Sequence, residues 1–221
     1  MADAVNYRQW IYSRISRYIG QRIVELGAGI GNFTESFLDR ELVVAVDNYN
    51  PCIEYLEKRF SGHGNVVPVK MDISSHEILS LSRYKPDTII CINVLEHVKD
   101  DSVAVSHMFQ VLSRGGHIVL FVPAFQFLYG NIDRSVGHHR RYSKNELKER
   151  LIVAGFKLKD IFYMNSIGTI GWFLNNKILK RKEESASQVI FYDRFVVPWL
   201  KHMEYYISPP LGLSLIAIGE K

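Results

Sequence analysis

The chain has 221 residues, which suits one α/β domain with a modest insertion and is long enough for a substantial core. A net charge of +4 and a pI near 9.0 permit an anionic ligand or a membrane surface but do not require nucleic acid. The two cysteines have no metal-type spacing, which favours buried thiols in a reducing compartment. Residues 1–20 lack the apolar core of a signal peptide, and no apolar run is long enough to span a bilayer, so we expect a cytoplasmic protein.

Strand and helix patterns alternate through the first half of the chain. The helical spacing of Tyr7, Ile11 and Ile15 predicts an amphipathic N-terminal helix. Apolar runs then predict strands over 22–26, 42–47, 66–71, 88–93 and 117–122, and the segments between them predict helices over 32–39, 51–60, 76–80 and 101–113. This alternation favours a parallel, doubly wound α/β sheet.

The second half departs from this rhythm. A polar loop rich in histidine and arginine spans 126–142, a helix with a capping-box start follows over 143–154, and a strand follows over 156–163. An aromatic and basic insertion from about 166 to 210 precedes a last strand over 213–219. We expect a single domain, residues 1–221, with 126–142 as an active-site loop and 166–210 as a substrate lid.

The most specific pattern follows the first predicted strand. The run ends at Glu25 and breaks into a turn made of Gly27, Ala28, Gly29 and Gly31. Glycines leave the backbone open to a ligand at a helix start, as in nucleotide-binding corners of α/β sheets. Dinucleotide dehydrogenases use G-x-G-x-x-G, but here Asn32 stands where the third glycine would fall.

The pattern E-x-G-x-G-x-G resembles motif I of the class I S-adenosylmethionine-dependent methyltransferases. The resemblance implies that the turn approaches the amino-acid moiety of S-adenosylmethionine, and that Glu25 helps to hold that end through the loop and water. It also implies a seven-stranded Rossmann-like sheet of order 3-2-1-4-5-7-6, with an antiparallel seventh strand and a C-terminal helical insertion before it.

Two acids end the next predicted strands. Asp47 can accept hydrogen bonds from both ribose hydroxyls, with Asn48 beside it, although a turn or helix cap before Pro51 is the alternative. In the methyltransferase family an acid at Asp72 meets the adenine amino group and the following Ile73 flanks the ring; the alternative is a helix cap.

The fourth strand leads into Asn93-Val94-Leu95-Glu96-His97, which resembles motif IV of small-molecule methyltransferases similar to the quinone-biosynthesis enzymes. Asn93 and Val94 would then face the amino-acid group or methyl of the cofactor. Glu96 and His97 could shape the site or start the next helix. Two residues do not make a metal site, so we expect no metal.

The loop after the fifth strand contains D-x-x-x-G-H-x-R-R-Y. With the later Gly171-Trp172 and the segment 209–217, it resembles a type 11/23-like methyltransferase subgroup. We interpret His138 or His139 as the general base, and Arg140 and Arg141 as a clamp for an anionic group, with Tyr129 and Asp133 beside the substrate. The alternative is a solvated basic loop in which an arginine pairs with Asp133.

The insertion combines aromatic with basic side chains. It could be a lid, a homodimer surface or an interfacial patch for a lipid-linked acceptor. The members are Trp172, Phe173, Phe191, Tyr192, Phe195, Trp199, Tyr205 and Tyr206, with Lys177, Lys180, Arg181 and Lys182 between them.

Taken together, these patterns predict methyl transfer from S-adenosylmethionine to an oxygen or nitrogen of a small molecule. A nicotinamide-dependent oxidoreductase and a non-catalytic cofactor-binding protein are the alternatives. We expect no nucleic-acid substrate, because the chain lacks the N/D-P-P-Y/F motif of base-amino methyltransferases and has no extended basic tract.

Overall fold

The computed structural model describes residues 4–179, 181 and 185–221. Within this part of the chain one sheet is formed by β1 (Arg22–Leu26), β2 (Leu42–Asp47), β3 (Val66–Lys70), β4 (Thr88–Ile92), β5 (His117–Pro123), β6 (Lys157–Met164) and β7 (Ser214–Glu220). The order is β3-β2-β1-β4-β5-β7-β6, and β7 runs antiparallel to both of its neighbours. The predicted seven-stranded sheet and its order are confirmed.

The helices are α1 (Val5–Ile15), α2 (Asn50–Arg59), α3 (Asp101–Val111), α4 (Asn131–Ser135), α5 (Lys144–Ala154), α6 (Ser166–Phe173), α7 (Ala186–Phe191) and α8 (Val197–Tyr206). The α-helix predicted over 32–39 is wrong, because the chain forms only a short 3-10 segment, Thr34–Phe37. Phe33, Thr34 and Phe37 are all buried there, and the Thr34 hydroxyl donates to Glu25 at 2.6 Å, a contact between elements that the local pattern does not show. The helix predicted over 76–80 is instead a 3-10 segment, His76–Tyr84.

The sheet separates two apolar layers. Successive side chains of a strand point to opposite faces, so Val24 and Leu26 belong to one layer and Ile23 to the other. Helices α3 and α5 pack on the first face, and α1, α2 and α8 pack on the second. Cys91 is buried in the first layer, whereas Cys52 on α2 is only half-buried.

The insertion before β7 is helical, as predicted, and we call residues 166–206 the cap. The cap consists of α6 with a π-helical extension (Leu174–Ile178), α7 with a second extension (Tyr192–Val196), and α8. Lys180 and Lys182 lie outside the described residues. Among the described residues, no helix has the length and apolar character needed to cross a membrane.

Two buried acids fasten the cap to the rest of the molecule. Asp193 accepts the backbone N–H groups of Asn6 and Tyr7, at 3.1 and 2.8 Å, in the first turn of α1. Glu204 accepts those of Asn165 and Ser166, at 3.0 and 2.8 Å, at the start of α6. A carboxylate is favourable at each helix start because the first N–H groups have no partner within the helix.

A third buried acid lies in β1, directly before the glycine turn. Glu25 is 4% exposed, and its Oε2 accepts a hydrogen bond of 2.6 Å from the Thr34 hydroxyl. Burial raises the pKa of Glu25 to about 7; the Thr34 hydrogen bond opposes this shift and the charge of Asp47 adds to it. Glu25 therefore ties the 3-10 segment to β1.

The raised pKa of Glu25 predicts a pH-dependent stability. The folded chain holds this proton more tightly than the unfolded chain, so Glu25 lowers the free energy of unfolding as the pH rises from 4.5 to about 7. Glu25→Gln stays neutral, and we expect it to match the wild type near pH 4 and to be more stable by up to about 3 kcal/mol near pH 8. Denaturant titrations across this range measure the difference. A stability difference that does not change with pH would contradict the assignment.

Candidate active site

The three glycines of the turn have different structural roles. All have positive φ, at 73° for Gly27, 55° for Gly29 and 80° for Gly31. A Cβ on Gly27 would lie 2.2 Å from Cγ2 of Val94, and one on Gly31 would lie 2.5 Å from the Phe60 ring. A Cβ on Gly29 would meet nothing within 4 Å. The outer glycines are thus required by packing, while the middle one leaves the backbone open to a ligand.

The carboxylate of Asp47 lies beside this opening. Its Oδ2 accepts the backbone N–H of Gly29 at 2.8 Å, and its Oδ1 accepts that of Tyr49 at 3.0 Å. Asn48, between them, is exposed. The turn role given as the alternative for Asp47 is present, and its contact with the ribose hydroxyls stays a prediction.

Asp72 and Ile73 follow β3. Asp72 is exposed, and its carboxylate accepts hydrogen bonds from the backbone and hydroxyl of Ser74, at 2.8 and 2.7 Å. Ile73 is 7% exposed and packs in the first apolar layer. Asp72 therefore forms a local turn on a side chain that solvent still reaches, and the helix cap given as its alternative is wrong, because Ser75 caps the following 3-10 segment.

Asn93 and Val94 leave β4 in opposite directions. Asn93 has a φ of 52°, the left-handed conformation, and its N–H donates to Phe121 at 2.8 Å. The turn ends β4 one residue earlier than predicted. Asn93 borders a large cavity, whereas Val94 packs against Gly27. Asn93 is thus held in a sparsely populated backbone conformation at the central edge of the sheet.

The cavity has a volume of about 560 Å³, which is within the usual range for a small-molecule site. Its walls come from the carboxyl ends of β4 and β5, the start of β7, α1, α4 and the cap. The lining residues with polar side chains are Tyr7, Asn93, Ser135, His138, Arg141, Asn165, Trp172, Asn175, Ser185, Gln188, Tyr192, Asp193 and Ser214.

One wall of the cavity is organised by Asp133, which is completely buried. Its carboxylate accepts hydrogen bonds from Nε of Arg141 at 2.7 Å, Nδ2 of Asn176 at 3.1 Å and the N–H of Gly130 at 2.9 Å. Nδ1 of His138 lies 3.0 Å from its Oδ1. Burial by itself would raise the pKa of Asp133, but His138, Arg141 and Gly130 outweigh burial and lower it. Asp133 is therefore ionised, and its carboxylate connects the loop, Arg141, His138 and the cap.

His138 lies between two carboxyl groups. Its Nε2 is 3.7 Å from Oε1 of Glu96, and its ring stands edge-on to His97 at 4.7 Å between centroids. Glu96 is fully buried, and among the described residues neither of its carboxyl oxygens has a hydrogen-bond partner. Burial raises the pKa of Glu96 to about 8. The loop has thus brought His138 to the pair that the sequence placed after β4.

The other residues predicted to bind substrate from this loop do not lie together in the structure. Arg141 lines the cavity, with its guanidinium 4.5 Å from the Trp172 ring, and its pairing with Asp133 is the alternative that the sequence left open. Arg140 instead pairs with Asp101 at 3.1 Å and donates to Lys99, so the two arginines do not form one clamp. His139 is exposed, and the Tyr129 hydroxyl donates to the backbone of His138 at 2.8 Å. Arg140, His139 and Tyr129 all lie away from the described cavity lining.

A polar group on the cavity wall was missed by sequence reasoning. Asn165 has a φ of 69°, accepts from the Tyr192 hydroxyl at 2.6 Å and donates to the Tyr7 hydroxyl at 3.3 Å. Its side chain also caps α6 through Gly168 at 3.0 Å. The position of Asn165 between a strand and a helix is a signal for a helix N-cap, but nothing in the sequence indicated that Tyr7 and Tyr192 would be its hydrogen-bond partners.

Comparison with known proteins agrees with this geometry. A protein named as a probable S-adenosylmethionine-dependent methyltransferase from Mycolicibacterium smegmatis is 25% identical over 158 residues, covering 68% of this chain and 58% of that protein. Probable polyketide synthase 41 of Dictyostelium discoideum is 25% identical over 130 residues, covering 50% of this chain and 5% of that protein. The chain thus spans less than two thirds of the length of these curated relatives.

Solved structures share the fold. A methyltransferase from Archaeoglobus fulgidus matches with a TM-score of 0.62 at 19% identity, covering 97% of this chain and 94% of that chain. One from Mesorhizobium loti matches with a TM-score of 0.64 at 15% identity, covering 97% and 98%. The family model described as a methyltransferase domain matches residues 8–160, which is more than half of the chain. The chain belongs to this methyltransferase domain family.

Proposed function

We propose that the protein transfers a methyl group from S-adenosylmethionine to an oxygen or nitrogen of a small molecule held in the cavity. The observation that carries this proposal is the opening at Gly29. The packing of the turn closes both outer glycines, the middle one faces open space, and the carboxylate of Asp47 is bonded to that same glycine. Membership of the methyltransferase domain family supports the same function.

The cofactor residues divide along the edge of the sheet. Asp47 binds the ribose hydroxyls, with Asn48 at its side. Asp72 and Ile73 meet the adenine, using a carboxylate that solvent reaches. Glu25 acts indirectly, because its hydrogen bond with Thr34 shapes the turn that receives the amino-acid end of S-adenosylmethionine. Asn93 stands between this end and the cavity.

Methyl transfer from a sulfonium is an in-line displacement, so alignment of the nucleophile with the methyl group supplies much of the catalysis. The nucleophile must also lose a proton. We assign this task to the Nε2 side of His138, because His138 lines the cavity and Asp133 holds its other nitrogen. Arg141 fixes Asp133 and contributes positive charge to the wall that the acceptor meets.

The cap points to an apolar or lipid-linked acceptor. Several of its large apolar side chains are exposed, including Ile170, Phe195 and Trp199 at about three fifths of their surface each. The acids of its described part, Asp193 and Glu204, are both buried, whereas Lys177 and Arg194 are exposed. An apolar, aromatic surface with positive charge suits an anionic bilayer. The same segment lines the cavity, so an acceptor could enter from the membrane surface.

Replacement of Gly29 tests the cofactor site. Gly29→Ala places a methyl group in the proposed ligand space, and we expect affinity for S-adenosylhomocysteine to fall by at least about tenfold. Gly115→Ala is the matched control, since Gly115 also has positive φ and open space but lies between α3 and β5. Both variants should lose about 1 kcal/mol of stability. Calorimetry that shows equal affinities for the two variants would contradict the site.

Replacement of His138 tests the acceptor side. We expect His138→Gln to lower kcat by about 100-fold, the usual contribution of a positioned base, with little change in cofactor affinity. His139→Gln, next to it but exposed, should retain normal turnover. The turnover of both variants is measured by the release of S-adenosylhomocysteine with phenol, alcohol and amine acceptors. Equal rates for the two variants would exclude the role of His138. Cofactor binding without turnover of any acceptor would favour a non-catalytic binding protein.

Vesicle sedimentation tests the cap surface. We expect the protein to bind vesicles of phosphatidylcholine with phosphatidylglycerol, and a variant with Phe195→Ser and Trp199→Ser to bind about tenfold more weakly. Val153→Ser is the control, because Val153 is 77% exposed on α5, away from the cap. Equal binding by both variants, or a homodimer in sedimentation velocity that the double variant abolishes, would contradict a membrane surface.

A further inference from the structure

The strongest unexplained feature of the cavity wall is the carboxyl group of Glu96. It is fully buried, and neither of its oxygens has a hydrogen-bond partner among the described residues. Buried polar groups are normally hydrogen-bonded, and a buried charge is normally paired or bound to a metal. The lack of a partner is therefore an observation that a ligand would explain.

The neighbours of Glu96 are suited to metal binding. Each of Glu96, His97 and His138 offers one ligand atom, and these atoms lie within 4.8 Å of one another. Oε1 of Glu96 and Nε2 of His138 are 3.7 Å apart. Ligands that stand about 2.0–2.2 Å from a zinc ion are separated from each other by roughly 3–4 Å. A small movement of His97, which is exposed, would bring all three ligand atoms to the separations found around a zinc ion.

The support behind His138 is also that of a metal ligand. Its Nδ1 lies 3.0 Å from the Asp133 carboxylate, which leaves Nε2 for an ion. Metal-binding histidines usually donate their other N–H to a carboxylate in this way, which fixes the tautomer and the ring orientation. Asp133 is itself fixed by Arg141, Asn176 and Gly130.

We propose that Glu96, His97 and His138 bind a divalent transition-metal ion such as Zn²⁺. Two imidazoles and one carboxylate form a known ligand set for Zn²⁺ and for Fe²⁺, and the set leaves coordination positions open. Of the three ligands, His138 lines the cavity and Glu96 and His97 are not among its lining residues, so the ion would meet the acceptor on the His138 side of the wall. The sequence supplied only the adjacent pair, which by itself could not form a site; the fold adds the third ligand.

The ion would change how the acceptor loses its proton. This step rests on the proposed function, whereas binding of the ion does not. An acceptor hydroxyl that coordinated the ion would have a lowered pKa and would lose its proton to solvent. Its oxygen would then attack the methyl carbon, and S-adenosylhomocysteine would leave with the electron pair of the broken S–CH3 bond. With Nε2 of His138 bound to the ion, the imidazole would no longer accept the proton, and solvent would accept it instead.

The test is titration of the metal-free protein with Co²⁺, followed by visible absorption, and with Zn²⁺ in competition with a chromogenic chelator. We expect one equivalent of tightly bound Zn²⁺ and Co²⁺ bands typical of a four- or five-coordinate site. His97→Gln should weaken binding at least tenfold, and Glu96→Gln should do the same. His139→Gln is the matched control, because it removes an exposed neighbouring histidine that is outside the set.

Several outcomes would overturn the proposal: no stoichiometric binding, binding that His97→Gln and Glu96→Gln both leave unchanged, or binding that His139→Gln weakens equally. Circular dichroism shows whether each variant is folded, and His97 is exposed, so its replacement leaves the core intact. Titration with S-adenosylhomocysteine tests the proposed function separately. A protein that binds S-adenosylhomocysteine but no metal ion contradicts only this inference. One that binds the ion but no S-adenosylhomocysteine contradicts the proposed function and leaves the metal site standing.

Discussion

The cavity depends on one buried negative charge. Asp133 accepts hydrogen bonds from its own loop through Gly130, from the cap through Asn176 and from Arg141, and it holds His138 through Nδ1. Loss of one member of such a buried, charged group typically costs about 3–5 kcal/mol, because the remaining charges stay unpaired. The loop and the cap are far apart in sequence, so this carboxylate is where their positions become mutually fixed.

The two sides of the site are built by different means. The proposed cofactor side needs little more than backbone: a turn with positive φ, closed by Val94 at Gly27 and by Phe60 at Gly31. The proposed acceptor side is made of side chains from separate elements, joined by Asp133 and by the contacts of Asn165 with Tyr7 and Tyr192. Backbone geometry suits a cofactor that many proteins share, while side chains from a cap can vary to suit one acceptor.

Sequence patterns predicted what local chemistry determines. The strands follow from apolar runs and the glycine turn from a short motif, whereas the order of the sheet was implied by the resemblance to class I methyltransferases. The helix expected over 32–39 is wrong: the chain there is a short 3-10 segment, bonded to β1 through Thr34 and Glu25, and a pattern of apolar residues does not show such a contact.

Long-range contacts were beyond the sequence. Arg140 and Arg141 look alike in the chain, yet Arg140 pairs with Asp101 and Arg141 pairs with Asp133. The meeting of His138 with Glu96 depends on how the loop 126–142 folds back over the end of β4. The spacing of residues in the sequence did not indicate this contact, because the two segments are far apart in the chain. Lys99 and Arg140, which are hydrogen-bonded and lie on the same two segments, are 41 positions apart.

The most direct test of the account is a crystal structure of the protein with S-adenosylhomocysteine. The account predicts ribose hydroxyls at Asp47, the homocysteine end against the backbone at Gly29, and the sulfur directed past Asn93 into the cavity. That arrangement would place the methyl group of the intact cofactor on the wall that contains His138. A ligand bound elsewhere, or a sulfur directed away from the cavity, would contradict the account.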